Sequence, residues 1–181
     1  MFQIFEAEYD DIWIRDHGPQ TLIEKSSGDY YFSTSRFNGY GNKYYCENDK
    51  KLSLELTKKF RKFGNPYKQT IFEIFNNIII EPGNITFNNN LYIINKSPLV
   101  AHNKLNWTAI NEILKECIED SLGAEYKIIN MKPISGDDTN GHIDNLIRLE
   151  SSNYLYYMAT NDSGHPDFAL LKDLKEQIMN I

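Results

Sequence analysis

Three stretches of this 181-residue chain have the form of a strand, a short polar turn and a second strand. In each stretch, β-branched and aromatic residues flank a Gly, Asn or Ser turn, which is the pattern of a β-hairpin. The stretches are residues 20–35, 84–95 and 143–160. Recurrence at a spacing of roughly sixty residues is typical of radial or stacked repeat architectures.

A helical pattern follows each hairpin. Residues 49–64 place apolar side chains at helical spacing and end at a glycine, which predicts a helix with a glycine stop. Residues 106–123 repeat this pattern, and residues 167–181 form the third predicted helix. A short strand is predicted after the second helix, at residues 125–131. The predicted unit is strand, strand, helix, strand, in an α/β fold that contains it about three times.

The formal net charge of −6 disfavours a nucleic-acid or anionic-membrane surface and suits a cationic substrate. No apolar run approaches the length of a membrane span. The acidic N-terminus lacks the basic region and apolar stretch of a secretory signal. Cys46 and Cys117 lie far apart and form no metal pattern. We therefore expect a soluble protein of the reducing cytoplasm, with no nucleic-acid or membrane partner.

An acidic, glycine-containing turn precedes each predicted hairpin. The three turns read WIRDHGP, EPGN and GDDTNGHID. If the repeated units surround an axis, these turns converge on one pocket that contains Asp16, Glu81, His142 and Asp144. Several carboxylates in one concave site need a counter-charge, so the pattern predicts a cation-binding pocket.

Two kinds of cation are compatible with this pocket. One histidine with scattered carboxylates could hold a hard metal ion, but the chain has no HExxH motif, cysteine cluster or calcium-loop spacing. A guanidinium ion matches paired carboxylates through forked hydrogen bonds, and Trp13 could cover its face. His142 would then serve in proton transfer. If His142 and Asp144 lie on a strand, their spacing of two puts both on one face.

Each of these residues also has a purely structural interpretation. Asp16 and Arg15 could form a surface ion pair or a turn cap. Glu81 before Pro and Gly is compatible with an ordinary turn, and Trp13 could be packed in the core. His142, taken alone, is more often structural than catalytic. The cation-binding hypothesis depends on the three acidic turns occurring at matching places in three similar units.

Four segments resemble agmatine deiminases, members of the bacterial-type peptidylarginine deiminase group within the pentein guanidine-modifying enzymes. The segments are DIWIRDHGP (residues 11–19), FNGYGNKY (residues 37–44), EPGNI (residues 81–85) and GDDTNGHIDNLIRLE (residues 136–150). They occur in the family's order along nearly the whole chain. Pro82 departs from the family, which usually has two glycines after the glutamate.

The resemblance implies an α/β fold, a partial pentein α/β-propeller built from strand, strand, helix, strand repeats around a narrow axial site. The chain is then a single incomplete propeller domain over residues 1–181. Its units are expected at approximately residues 11–75, 76–131 and 132–181.

The resemblance also implies an activity, the hydrolysis of agmatine to N-carbamoylputrescine and ammonia in polyamine and putrescine biosynthesis, without metal or organic cofactor. By motif position, Asp16, Asp144 and Trp13 bind the substrate. Glu81 binds guanidinium nitrogens or assists proton movement, and His142 is the general acid and base. A cysteine near the family's C-terminus attacks the guanidinium carbon.

Neither cysteine of this chain matches that nucleophile. Cys117 lies on the apolar face of a predicted helix and Cys46 lies in a predicted loop. We therefore expect the chain to be truncated and impaired alone, and to act as a homo-oligomer or with a complementing second chain. Two alternatives stay open: a non-catalytic guanidine- or polyamine-binding or assembly fragment, and a peptidylarginine or arginine deiminase-like enzyme.

Overall fold

The chain forms two compact units, Met1–Glu81 and Pro82–Ile181. The computed structural model describes residues 4–62, 67–150 and 154–181. Both units combine small β-sheets with helices, so the fold is mixed α/β. Over the described ranges, each helix is too short or too polar to cross a membrane.

The first unit contains a three-stranded sheet in the order β1, β2, β3, with β1 and β2 antiparallel and β2 and β3 parallel. Its strands are β1 (Gln20–Ile23), β2 (Tyr30–Arg36) and β3 (Tyr67–Ile79). Its helices are α1 (Ile14–His17), the four-residue turn α2 (Gly39–Asn42) and α3 (Asp49–Lys62). Gly28, with a φ of +74°, supplies the left-handed backbone that the β1–β2 turn requires.

The second unit contains a three-stranded sheet in the order β4, β5, β6 and, among the described residues, a two-stranded sheet of β7 and β8. The strands are β4 (Ile85–Phe87), β5 (Leu91–Asn95), β6 (Glu125–Ile129), β7 (Ile147–Leu149) and β8 (Leu155–Tyr157). The helices are α4 (Lys96–His102), α5 (Trp107–Leu114) and α6 (Phe168–Ile178), with a 3-10 turn at Pro82–Asn84 and a π-helix at Lys115–Ser121.

One core cluster joins the strands of the second unit to α6. Side chains from β5, β6, β7 and α6 are buried together because each element turns its apolar face inward. The buried members are Ile93, Ile129, Met131, Ile143, Leu146, Ile147, Leu149, Leu171 and Leu174. This core fixes the turn before β7, which carries two of the predicted site residues.

The three predicted hairpins are confirmed as the antiparallel pairs β1–β2, β4–β5 and β7–β8. In both three-stranded sheets the second hairpin strand pairs in parallel with the strand after the helix, which is the predicted unit order. The predicted helix after the second hairpin is α-helical only over Trp107–Leu114 and continues as a π-helix. The predicted helix end at Gly64 and the third hairpin's turn, residues 151–153, lie outside the described residues.

Candidate functional site

Asp16 lies in α1, near the N-terminus of the chain, and is buried. The Tyr40 hydroxyl lies 3.0 Å from Asp16 Oδ2 and donates a hydrogen bond to it. Trp13, immediately before α1, is 63% exposed, so the prediction that it packs in the core is wrong. Its backbone N–H donates to Asp11 Oδ1 at 3.1 Å. Asp16 is also not a surface residue, since only 6% of it is exposed.

The segment before α1 is anchored to the first residue of α3. Asp49 Oδ1 accepts hydrogen bonds from the backbone N–H groups of Asp10 (2.8 Å) and Asp11 (3.2 Å). His17 Nε2 lies 3.8 Å from the same oxygen, and both side chains are fully buried. A carboxylate at a helix N-terminus is also stabilised by the helix dipole. The segment that carries Trp13 and Asp16 is thus held by a buried charge.

Tyr40 reaches Asp16 from an unusual backbone conformation. In α2, Gly39, Tyr40, Gly41 and Asn42 have φ values of 63°, 56°, 79° and 67°, so the turn is left-handed. A side chain at Gly39 would come within 2.2 Å of the Tyr44 carbonyl oxygen, which explains the glycine there. Burial raises the pKa of Tyr40 well above its ordinary value, and the Asp16 and Asp11 carboxylates raise it further.

Glu81 and the EPGN turn follow β3. Glu81 is 1% exposed, which is rare for a glutamate and excludes a role as a solvated turn residue. After it, Pro82–Asn84 form a 3-10 turn that leads into β4. The Asn84 side chain donates to the Asn95 carbonyl oxygen at 2.9 Å, which ties this turn to the end of β5.

His142 and Asp144 lie in the turn before β7, and β7 itself begins at Ile147. The prediction that a strand pleat aligns these two side chains is therefore wrong. The Gly83 carbonyl oxygen accepts hydrogen bonds from the N–H groups of Ile143 (3.2 Å) and Asp144 (3.0 Å). The structure thus brings the EPGN and GHID motifs together through one carbonyl group.

The loop before His142 also depends on long-range contacts. Asn140 and Gly141 have φ values of +67° and +108°. The Asn140 side chain donates to His102 Nε2 at 2.8 Å, and Asn95 Nδ2 donates to the Gly141 carbonyl oxygen at 2.7 Å. The His142 N–H donates to Thr139 Oγ1 at 3.0 Å. His142 itself is 6% exposed, so its ring is held in a buried setting.

Both cysteines are buried free thiols. Cys46 packs against Phe37 and Tyr40, and burial raises its pKa. Burial, assisted by the charge of Glu116, raises the pKa of Cys117 to about 11. Attack on carbon requires the thiolate, so neither side chain has the environment of a reactive cysteine at neutral pH.

The structure brings the predicted site residues together in two groups. Trp13 and Asp16 share the α1 segment, and His142 and Asp144 share the turn before β7 beside Gly83. Within the described ranges, no three His, Cys, Asp or Glu residues are grouped as a metal site would require. The residues that hold these segments escaped the sequence analysis, namely Asp11, Tyr40, Asp49, Asn95, His102, Thr139 and Asn140. The one sequence feature that could have pointed to Tyr40 is its position between two glycines, Gly39 and Gly41.

The sequence profile of the Porphyromonas-type peptidyl-arginine deiminase family matches residues 1–181. A Mycoplasma capricolum protein, named provisionally as an agmatine deiminase, is 25% identical over 170 residues, which are 92% of this chain and 44% of that protein. A Listeria monocytogenes protein with the same provisional name is 22% identical and is matched over 98% of this chain and 48% of its own length. The chain therefore spans about half the length of these relatives.

Solved structures of agmatine deiminases have the same fold. A cysteine-to-serine variant of the C. jejuni enzyme with substrate bound superposes with a TM-score of 0.78 at 26% identity, over 98% of this chain and 51% of that chain. The Enterococcus faecalis enzyme superposes with a TM-score of 0.79 at 17% identity, over 98% and 47%. The mixed α/β fold of this chain thus matches that of solved agmatine deiminases over about half of their length.

Proposed function

Because the chain belongs to the Porphyromonas-type peptidyl-arginine deiminase family, we propose that it forms the guanidinium-binding and proton-transfer part of an agmatine deiminase. The observation that carries the proposal is the burial of three ionisable side chains in family motifs. Asp16 is 6% exposed, Glu81 1% and His142 6%. Burying an ionisable group costs free energy, and such groups are concentrated at functional sites. The substrate-bound C. jejuni relative supports a small guanidine ligand.

In this proposal each side chain has its own role in the reaction. Asp16 and Asp144 accept hydrogen bonds from the guanidinium nitrogens, and the exposed Trp13 ring covers the planar cation. Glu81 binds the same group or accepts its proton. A thiolate attacks the guanidinium carbon, and His142 donates the proton with which ammonia leaves. Water then cleaves the amidino-thioether, His142 takes a proton from that water, and the carbamoyl product departs.

The attacking thiolate comes from outside these 181 residues in this proposal. Support comes from the raised pKa values of Cys46 and Cys117, which keep both thiols protonated near neutral pH. The nucleophile would be supplied by a further segment or by a complementing chain, whereas a homo-oligomer of this chain alone would still lack it. We also propose that the sheets belong to a propeller of strand, strand, helix, strand units at approximately residues 11–75, 76–131 and 132–181.

Calorimetric titration of the 181-residue chain with agmatine tests the binding step. We expect saturable binding that Asp16→Ala and Asp144→Ala each abolish, while Asp120→Ala, at an exposed site, leaves it unchanged. Equal binding by the parent and both site variants would show that the assignment is wrong. Ureido-product formation is then measured with and without a polypeptide that carries the family's cysteine segment, with His142→Ala as the control. Turnover only with the added segment is the expected result.

One alternative substrate has support of its own, because the matching family is described as peptidyl-arginine deiminase. Free arginine and an arginine-containing peptide are therefore titrated beside agmatine. Tighter binding of the peptide would replace agmatine as the substrate and leave the guanidinium site in place. Binding without turnover in any mixture would favour a non-catalytic guanidine-binding fragment. Sedimentation of the parent chain tests the proposed homo-oligomer.

A further inference from the structure

The hydroxyl of Tyr40 lies between two carboxylates of the N-terminal segment. It is 3.0 Å from Asp16 Oδ2 and 3.2 Å from Asp11 Oδ2. A phenol has one proton and donates it to one acceptor at a time. The shorter distance and the deeper burial of Asp16 make it the preferred acceptor, while Asp11 is half-buried. A carboxylate in the substrate-binding set is therefore held by a residue 24 positions later in the chain.

The backbone at Tyr40, whose side chain carries this hydroxyl, has a strained conformation. Tyr40 has φ 56° and ψ 55°, in the left-handed region, and lies between Gly39 and Gly41, which have positive φ as well. This conformation is unfavourable for an L-residue and persists only where the surroundings hold it. The Asn38 side chain helps to hold it, since Asn38 Oδ1 accepts the Gly41 N–H at 2.9 Å.

The ring of Tyr40 has a separate role in packing. It contacts Phe37 edge-on, with centroids 5.2 Å apart, and Tyr44 in the same manner at 6.1 Å. These contacts involve the ring faces and edges and are independent of the hydroxyl group. A phenylalanine would preserve them, so removal of the hydroxyl separates the hydrogen bond from the packing.

We propose that Tyr40 is a positioning residue for guanidinium recognition, whose hydroxyl fixes the orientation of the Asp16 carboxylate toward the substrate. The inference rests on the proposed function, because it takes Asp16 to be a substrate-binding residue. Fixing the carboxylate before the ligand arrives removes an ordering cost from binding. Asp11 is a second acceptor within reach of the same hydroxyl.

The first test compares Tyr40→Phe with Tyr31→Phe in calorimetric titrations with agmatine. Tyr31 is a matched control because its hydroxyl also donates to a carboxylate, Glu24 Oε2 at 3.1 Å, on the exposed β1–β2 hairpin. Tyr40→Phe should weaken agmatine binding about tenfold, whereas Tyr31→Phe should change it less than about twofold. Equal affinity of Tyr40→Phe and the parent overturns the proposal.

A double-mutant cycle separates positioning from a general structural role. In an Asp16→Asn background, which weakens binding by itself, Tyr40→Phe should cause little additional loss, because the carboxylate that it orients has gone. Where Tyr40 acts only on the fold, the same loss would appear in both backgrounds, and that result contradicts the proposal. Thermal unfolding of each variant shows whether its structure is retained.

A ligand-free measurement keeps the two proposals distinguishable. In tyrosine labelled with ¹³C at Cζ, the Tyr40 resonance reports the hydrogen bond of its hydroxyl group. Asp16→Asn should shift this resonance, and Tyr31→Phe should not. If the parent does not bind agmatine, the proposed function fails, and this shift still decides whether the Tyr40 hydroxyl holds the Asp16 carboxylate. A Tyr40 resonance that Asp16→Asn leaves unmoved rules out the Tyr40–Asp16 hydrogen bond, whatever the parent binds.

Discussion

The segment that carries Asp16 and the turn that carries His142 are held in place by different chemistry. Around Asp16 the acceptors are carboxylates, since Asp49 receives backbone N–H groups and Asp11 receives the Trp13 N–H. Around His142 the partners named above are neutral groups: the Gly83 carbonyl, the Asn95 amide and the Thr139 hydroxyl. Hydrogen bonds to charged groups contribute more each, about 1.5–3 kcal/mol against about 1 for neutral ones.

The two regions should therefore tolerate different substitutions. The Asp16 segment depends on charge, so loss of one carboxylate should matter even where the side-chain shape is preserved. The His142 turn depends on shape, because Gly141 approaches Asn95 closely and a neutral amide must reach several backbone groups at once. The following substitutions test this distinction between a charge-dependent and a shape-dependent region.

The largest effect is expected from Asn95→Ala in the shape-dependent region. Asn95 is fully buried, donates to the carbonyl oxygens of Met131 (3.0 Å) and Gly141 (2.7 Å), and accepts the Met131 N–H at 2.8 Å. Its truncation removes the partner of these three backbone groups and of the Ser97 N–H (3.4 Å), and should lower the free energy of unfolding by about 3–5 kcal/mol. Urea denaturation measures the change. Asn130→Ala, at the exposed position beside Met131, is the control and should have little effect.

Asp49→Ala should cause the next largest loss, about 2–4 kcal/mol of unfolding free energy. The reason is that it removes the side-chain acceptor of the Asp10 and Asp11 N–H groups. Asp49→Asn keeps an acceptor oxygen but removes the charge. If the region depends on charge, Asp49→Asn should still cost about 1 kcal/mol, from weaker hydrogen bonds and a lost helix-dipole interaction. Parental stability of Asp49→Asn in urea denaturation would show that shape alone holds this segment.

Gly141→Ala should cost about 1–2 kcal/mol more than Gly136→Ala. Both glycines have positive φ, +108° and +87°, so both substitutions strain the backbone. A side chain at Gly141 would also meet Asn95 Nδ2 at 2.8 Å, whereas nothing lies within 4 Å at Gly136. The difference between the two variants in chemical denaturation isolates the close approach. Equal losses of unfolding free energy would mean that the Asn95 side chain moves away from the added methyl group at little cost.

The smallest expected effect is a pH dependence from Cys117. Burial raises its pKa from 9.0 to about 11, so the folded chain holds this proton more tightly than the unfolded chain does. The resulting stability is fully present below about pH 9 and disappears as the pH rises through about 11. Unfolding free energies of the parent and Cys117→Ala, measured from about pH 8 to 11, should converge as the pH rises. Parallel curves would show that the thiol does not contribute.

The hairpins could be predicted because their signal is local: alternating apolar residues meet turn residues over a short stretch, as at Gly28. The helix α3 was visible for the same reason, with apolar side chains at helical spacing. The helix α4 was missed, since seven residues that include Pro98 give too short a pattern. The strand β3 was missed because its sequence, YKQTIFEIFNNII, does not alternate regularly.

The sequence motifs identified the candidate site residues, but the contacts around these residues could not be predicted from the sequence. His142 and Asp144 were expected on a strand, yet the positive φ of Gly141 and two hydrogen bonds to Gly83 make a turn there. The pairing of Tyr40 with Asp16 joins residues 24 positions apart, and no periodicity encodes it. Local sequence patterns predict helices and strands, whereas side-chain hydrogen-bond networks depend on contacts between residues far apart in the chain.

The left-handed turn at Gly39–Asn42 has a consequence for the chirality of the chain. Along four successive residues the backbone adopts the φ sign that D-amino acids prefer. In a chemically synthesised version, a D-residue at Gly41 would suit this backbone and would restrict the unfolded chain more than glycine does. The same replacement in α3, where the helix is right-handed, would disrupt it. In this turn, unlike in α3, the φ values suit D-amino acids at four successive positions.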